Sequence, residues 1–108
     1  MYFTYIQHNS GGDFDILEEM GIGHIVIFKA KNAKKANELA ESIGMYFNGV
    51  ADGFDCPCCG DRWYPLDDAD STKQPEIYGK PVNEHKNNKD HRYDDIFIHH
   101  SKDNIEQL

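Results

Sequence analysis

Apolar positions fall in short blocks separated by polar stretches, and the spacing inside each block indicates the element it can form. Tyr2-Phe3-Thr4-Tyr5-Ile6-Gln7 is aromatic and β-branched and predicts a strand. His8-Asn9-Ser10-Gly11-Gly12-Asp13 then has turn composition. Ile25-Val26-Ile27-Phe28 is apolar without interruption, so the stretch 23–29 predicts a strand covered on both faces, in the middle of a sheet.

The period then changes. Ala33, Ala36, Leu39, Ala40 and Ile43 make one apolar stripe at helical spacing, with Asn32 as N-cap and Gly44 just past the end. The predicted helix runs over 33–43, and its small residues allow close approach to a sheet. Its charges are inverted. Lys34 and Lys35 occupy the first turn and Glu38 and Glu41 lie beyond, against a macrodipole preference of roughly 0.3–1 kcal/mol per charge. Pairing of both lysines with Glu38 is one reading. A basic helix start that attracts an anion is the other.

Later blocks are shorter. Met45-Tyr46-Phe47 and Arg62-Trp63-Tyr64 each predict a brief strand, the second stopped by Pro65. Residues 67–92 read as a long polar loop with one short strand at Glu76-Ile77-Tyr78. At the end, DIFIHH predicts a strand, SKDN a hairpin turn and IEQL its return. The sum is an α+β fold: a small antiparallel or mixed sheet, one helix packed on a face, and a cysteine-rich turn.

Length and charge narrow the class. The 108 residues allow one domain, and 39% apolar content supports a modest core. A net charge of −8 disfavours long nucleic acid as a partner and suits a partner with a basic face, mimicry of DNA charge being a special case. No apolar run approaches the ~18 residues of a membrane span. The opening MYFTYIQHNSGGDFD has no basic region followed by an apolar run, and the three cysteines are odd in number and lie within four positions. Together these predict a chain of the reducing cytoplasm rather than a secreted disulfide scaffold.

The cysteine turn carries the most specific chemistry. Cys56-Pro57-Cys58-Cys59-Gly60 contains C-P-x-C-G, the sequence form of a zinc knuckle. Two thiolates three residues apart converge on one ion in a tight turn, and glycine after the second permits the bend. Cys56 and Cys59 are the first two candidate ligands and Cys58 a third. Further donors have to be histidines or carboxylates. His24 and His99 are preferred because both fall on predicted strands; His85, His91, His100, Asp55 and Asp61 are the others. Two more readings stay open: thiols packed as small apolar groups, and a redox pair.

Asn9-Ser10-Gly11-Gly12 resembles a loop that presents amides to an anion, without the Lys-Ser/Thr of a phosphate-binding loop. Arg62 is a candidate to grip an anionic ligand, or to pair with Asp55 or Asp61; Trp63 is either core or ligand contact. No catalytic set emerges: Ser10 has no identifiable base, Asp67-Asp68-Asp70 lacks the pattern of a calcium loop, and there is no H-x-E of a zinc deaminase.

The opening N-S-G-G-D-F, the segment E-S-I-G-M-Y-F-N-G-V and the turn D-C-P-C-C-G-D-R-W-Y together resemble small uncharacterised proteins carried by tailed bacteriophages, over residues 1–66. The resemblance implies an accessory protein made in the host cytoplasm and brings no established activity. The expected function is non-enzymatic binding of a host protein, or of a small anionic ligand such as a nucleotide, of the host-takeover or counter-defence kind. The alternatives are a small metal-dependent enzyme acting on a nucleotide or phosphoester, and a minor virion component.

Overall fold

The computed structural model describes residues 1–8, 14–82 and 95–108. Among these residues, six strands, β1 (Tyr2–Ile6), β2 (Ile25–Lys29), β3 (Glu76–Ile77), β4 (Lys80–Pro81), β5 (Ile96–Ser101) and β6 (Asn104–Gln107), accompany the helix α1 (Ala33–Ser42). Four strands form one sheet in the order β1-β2-β5-β6, and β3-β4 is a separate hairpin. β1 runs antiparallel to β2, β2 parallel to β5, and β5 antiparallel to β6, so the α+β sheet is mixed. The parallel pair requires a long crossover, and α1 and the cysteine turn lie within it.

The sheet has two covered faces, as the unbroken run 25–28 predicts. On one, Phe3, Tyr5, Val26 and Phe28 pack with Ala33, Ala36 and Ala40 of α1 and with Trp63. On the other, Ile25, Ile27, Ile96 and Ile98 meet Ile77 and Val82. α1 agrees with its predicted span to within a residue. Asn32 Oδ1 accepts the Lys35 amide at 2.9 Å, and Gly44 follows with φ +110°. The C-terminal hairpin also forms as predicted. No helix among the described residues is long and apolar enough to cross a membrane.

Three expectations are corrected. Residues 45–47 are not a strand: the chain leaving α1 turns Met45 into the helix-side core, and its amide bonds back to the Ala40 carbonyl. Residues 62–64 are not a strand either, because that backbone is held by the His8 amide and by side chains rather than by a ladder. In the stretch 67–82 the strand expected at 76–78 forms as β3, and the segments expected as loop around it are ordered too. A short 3₁₀ turn (Asp68–Asp70) leads to Thr72, which exchanges backbone bonds with Tyr2 at 2.8 and 2.9 Å, and then to the hairpin that lays Ile77 on the sheet. The remainder of that predicted loop, 83–92, lies outside the described residues.

Asp68 resolves the inverted charges of α1. Its Oδ1 accepts the Ala33 amide at 2.8 Å, so the acid missing from the first turn arrives from the following segment. Asn37 makes the second tie: its Oδ1 accepts the Leu66 amide at 3.1 Å and the Tyr5 hydroxyl at 2.6 Å, and its Nδ2 donates to the Leu66 carbonyl at 3.0 Å. Asp68→Ala is expected to lower stability by about 1 kcal/mol, the usual cost of a lost helix cap, read as a shift of the urea midpoint at constant slope.

Candidate functional site

The cysteine turn stands on a buried polar bracket whose centre is Arg62. The Arg62 side chain is 8% exposed and that of Asp55 is fully buried. Arg62 Nη1 donates to Gln7 Oε1 at 2.8 Å and its Nε to the Tyr46 hydroxyl at 3.3 Å. The same Nε lies 3.3 Å from Asp15 Oδ2 and 3.7 Å from Asp55 Oδ1. The Arg62 amide donates to Asp55 Oδ2 at 2.8 Å, and the Tyr46 hydroxyl donates to Asp55 Oδ1 at 3.1 Å. Gln7 completes the frame by donating to the carbonyls of Asp15 and Gly23 at 3.0 and 2.9 Å and accepting the Asp15 amide at 2.6 Å. Burial raises the Tyr46 phenol above its usual range, with the hydrogen bond to Arg62 working against it.

The bracket fixes the loop that presents the thiols. The amides of Phe54 and Asp55 both donate to the Gly49 carbonyl, at 2.7 and 2.9 Å, and Asp61 Oδ1 accepts the Val50 amide at 2.9 Å. Between those ties Cys56 is half-buried and Cys58 and Cys59 are exposed, none of them in a disulfide. The amides of Cys59 and Gly60 donate to the Cys56 carbonyl at 3.0 and 3.1 Å, and Gly60 takes φ +85°. The Cys58 amide, then the Cys59 thiol and amide, point at the Cys56 sulfur and lower its pKa. A turn whose amides point at the first sulfur is the local form that C-P-x-C-G predicts, and it presents a thiolate to a soft cation or an electrophile.

The other predicted site residues are distributed differently. Trp63 is 2% exposed and belongs to the helix-side core, the first of its two readings. The Arg62 guanidinium is enclosed by Gln7, Tyr46, Asp15 and Asp55 rather than presented to a ligand. Asn9, Ser10, Gly11 and Gly12 lie outside the described residues, but both flanks of that loop meet Arg62: its carbonyl accepts the His8 amide at 2.8 Å, and Asp15 faces its side chain. His8 and Asp15, on either side of that stretch, therefore meet the bracket that carries the cysteine turn.

The two histidines are not brought to the thiols. His99 Nε2 lies 2.8 Å from the Gly21 carbonyl, and its ring stacks on Phe28 at 4.6 Å. His24 lies edge-on to Phe14 at 4.6 Å, with Nδ1 3.6 Å from Asp95 Oδ2. Among the described residues no three His, Cys, Asp or Glu side chains are grouped around one ion position. Of the two, only His99 lies on a strand, β5; His24 falls in the bend just before β2, not on the strand expected over 23–29.

Burial lowers the His99 pKa, against a smaller upward effect of the Gly21 hydrogen bond. The unfolded chain thus takes up a proton before the folded one does. Stability is full above the ordinary histidine value of about 6.5 and falls as pH drops through it. His99→Gln is expected to flatten this loss between about pH 7.5 and about pH 5, seen as a smaller drop in Tm than in the parent chain.

Gln7, Asp15, Tyr46 and Gly49 are the site residues that sequence reasoning missed. Each falls in a segment of ordinary strand or loop composition, and nothing local marks it. No curated protein and no solved structure matches the chain. The family described as Domain of unknown function (DUF7296) matches it over residues 1–108, its whole length, and the chain belongs to that family.

Proposed function

We propose that this is a non-enzymatic binding protein, phage-encoded and acting in the host cytoplasm, that engages a basic-faced host protein through the end of the fold bearing the cysteine turn. The observation that carries this reading is the fully buried Asp55 paired with Arg62 beneath an exposed turn. A core can be filled as stably by apolar side chains, so a buried ion pair is better understood as fixing one conformation. Here the conformation being fixed is a surface loop.

That loop has the features of a docking surface. Phe54, at its tip, is 71% exposed and packs against Tyr46 at 5.6 Å, offering an aromatic anchor. Asp52 is exposed beside it, and the net charge of −8 complements a basic partner. Zinc held by Cys56 and Cys59 would brace the turn further; Cys58 would have to change conformation to join them, because no three donors among the described residues group around one position.

Affinity purification from host cells tests the reading. The full chain is expected to retain one host protein in stoichiometric amount, and Phe54→Ala to lose it. Tyr78→Ala, at an aromatic that is 66% exposed on the β3–β4 turn, should keep it. Native mass spectrometry of the parent chain should show one zinc that Cys59→Ser abolishes. Retention of the same partner by Phe54→Ala, or recovery of no partner, overturns the assignment of this surface.

A further inference from the structure

The cations of this acidic chain are not spread evenly. Of eleven Lys and Arg against nineteen Asp and Glu, four are Lys29, Lys31, Lys34 and Lys35, within seven residues that end β2 and open α1. Lys29, Lys31 and His100 line a cleft of 420 Å³. Lys31, Asn32, Lys34, Lys35 and Glu38 line a second of 260 Å³. Lys31 stands between the two. The register fixes where this is: Tyr2 faces Lys29 and Phe28 faces His99, so the clefts lie at the carboxyl ends of the parallel pair β2 and β5. Gln7, in the bracket below the cysteine turn, bonds through its amide to the His24 carbonyl just before β2, at the opposite end of the strands.

We propose that this end binds a small, multiply charged, phosphate-bearing anion laid across the two clefts, with Lys31 between its charged groups. Four lysines and Glu38 line the clefts, and Asp68 on the Ala33 amide and Glu106 on His100 stand at their edges, so cations outnumber carboxylates here by four to three although the chain as a whole carries −8. Asp68 and Glu106 are already engaged by the Ala33 amide and His100, and at physiological ionic strength charges more than about 8 Å away are largely screened, which leaves the four ammonium groups as the charges open to a ligand.

The chemistry of the grip follows from what is already engaged. The Ala33 and Lys35 amides are taken by Asp68 and Asn32. His100 is 2.9 Å from Glu106 Oε1 and 3.3 Å from the Tyr2 hydroxyl. The ligand is therefore held by ammonium groups rather than by the helix start, and His100 is a wall of the cleft. Ammonium groups on flexible stems recognise charge and span more than shape, which selects a chain of phosphates over a single one. This site is independent of the cysteine-turn reading and shares no residue with it.

Isothermal titration of the full chain tests the proposal, with inorganic phosphate, tripolyphosphate and ATP as probes. Tripolyphosphate is expected to bind more tightly than phosphate, and more weakly at about 200 mM than at about 50 mM salt. Lys31→Glu should weaken it by about tenfold or more. Lys80→Glu, an exposed change of equal charge lining neither cleft, should leave it nearly unchanged. Tighter binding of ATP than of tripolyphosphate assigns a nucleotide as the source of the phosphates; equal binding assigns a free polyphosphate. Circular dichroism confirms that both variants fold. Absence of binding at millimolar tripolyphosphate, or equal weakening by Lys31→Glu and Lys80→Glu, overturns it.

Discussion

Replacing Arg62 by methionine should cost this protein about 3–5 kcal/mol of stability, the range seen when one member of a buried ion pair is removed. The cause is what stays behind. Asp55 has no exposed side-chain surface, and without the guanidinium its carboxylate keeps the Arg62 amide and the Tyr46 hydroxyl but loses its cation. Gln7 Oε1 loses a 2.8 Å donor at the same time. A domain of this size has about 5–15 kcal/mol in total, so the variant approaches the limit of folding at 37 °C. Urea denaturation reads the effect as a fall in midpoint with little change in slope. Arg62→Lys should lie between the two, because it keeps the charge and loses the planar fork that reaches Gln7 and Tyr46 together. A loss below about 1 kcal/mol for Arg62→Met would mean that the pair behaves like an exposed one and braces nothing.

The central strand, the helix with its cap, and the terminal hairpin were legible because each is encoded by neighbours in sequence. Ile25 to Phe28 is one apolar run, Asn32 sits three residues before the amide it receives, and SKDN joins its own two strands. The bend at Cys56–Gly60 was legible for the same reason. What could not be read is what converges from a distance. Arg62 draws on residues 7, 15, 46 and 55, and none of these spacings leaves a periodic trace. Asp68 caps a helix that starts thirty-five residues earlier. Ile77 and Val82 are two apolar residues in a polar stretch, and averaged composition hides that they cover a sheet face. The lysines at 29–35 were visible, but that Lys29 and Lys31 share a cleft with His100 depends on the β2–β5 pairing. Arg62 invited an anion by its chemistry, and its surroundings supply two carboxylates of their own.

The tightest point of the bracket is Gly49, and Gly49→Ala is expected to be as damaging as a loss in the core. A methyl group there falls on the Asp55 carboxylate, at Oδ2, and also crowds the Tyr46 ring at 2.8 Å. The Gly49 backbone is not left-handed, so alanine brings no conformational strain and the whole effect is contact. Oδ2 is the atom that accepts the Arg62 amide, and Asp55 cannot retreat without breaking that bond and loosening the pair. Overpacking alone costs about 1–3 kcal/mol, and displacement of the carboxylate adds to it, for an expected total of about 3 kcal/mol or more. A double-mutant cycle isolates the cause. In an Asp55→Ala background the obstructing carboxylate is gone and only the Tyr46 ring contact remains, so adding Gly49→Ala should cost clearly less than in the parent chain, and the two changes should not be additive. Additive losses would show that Gly49 is constrained by something other than Asp55. They would also detach the loop carrying Phe54 and the cysteines from the buried pair beneath it.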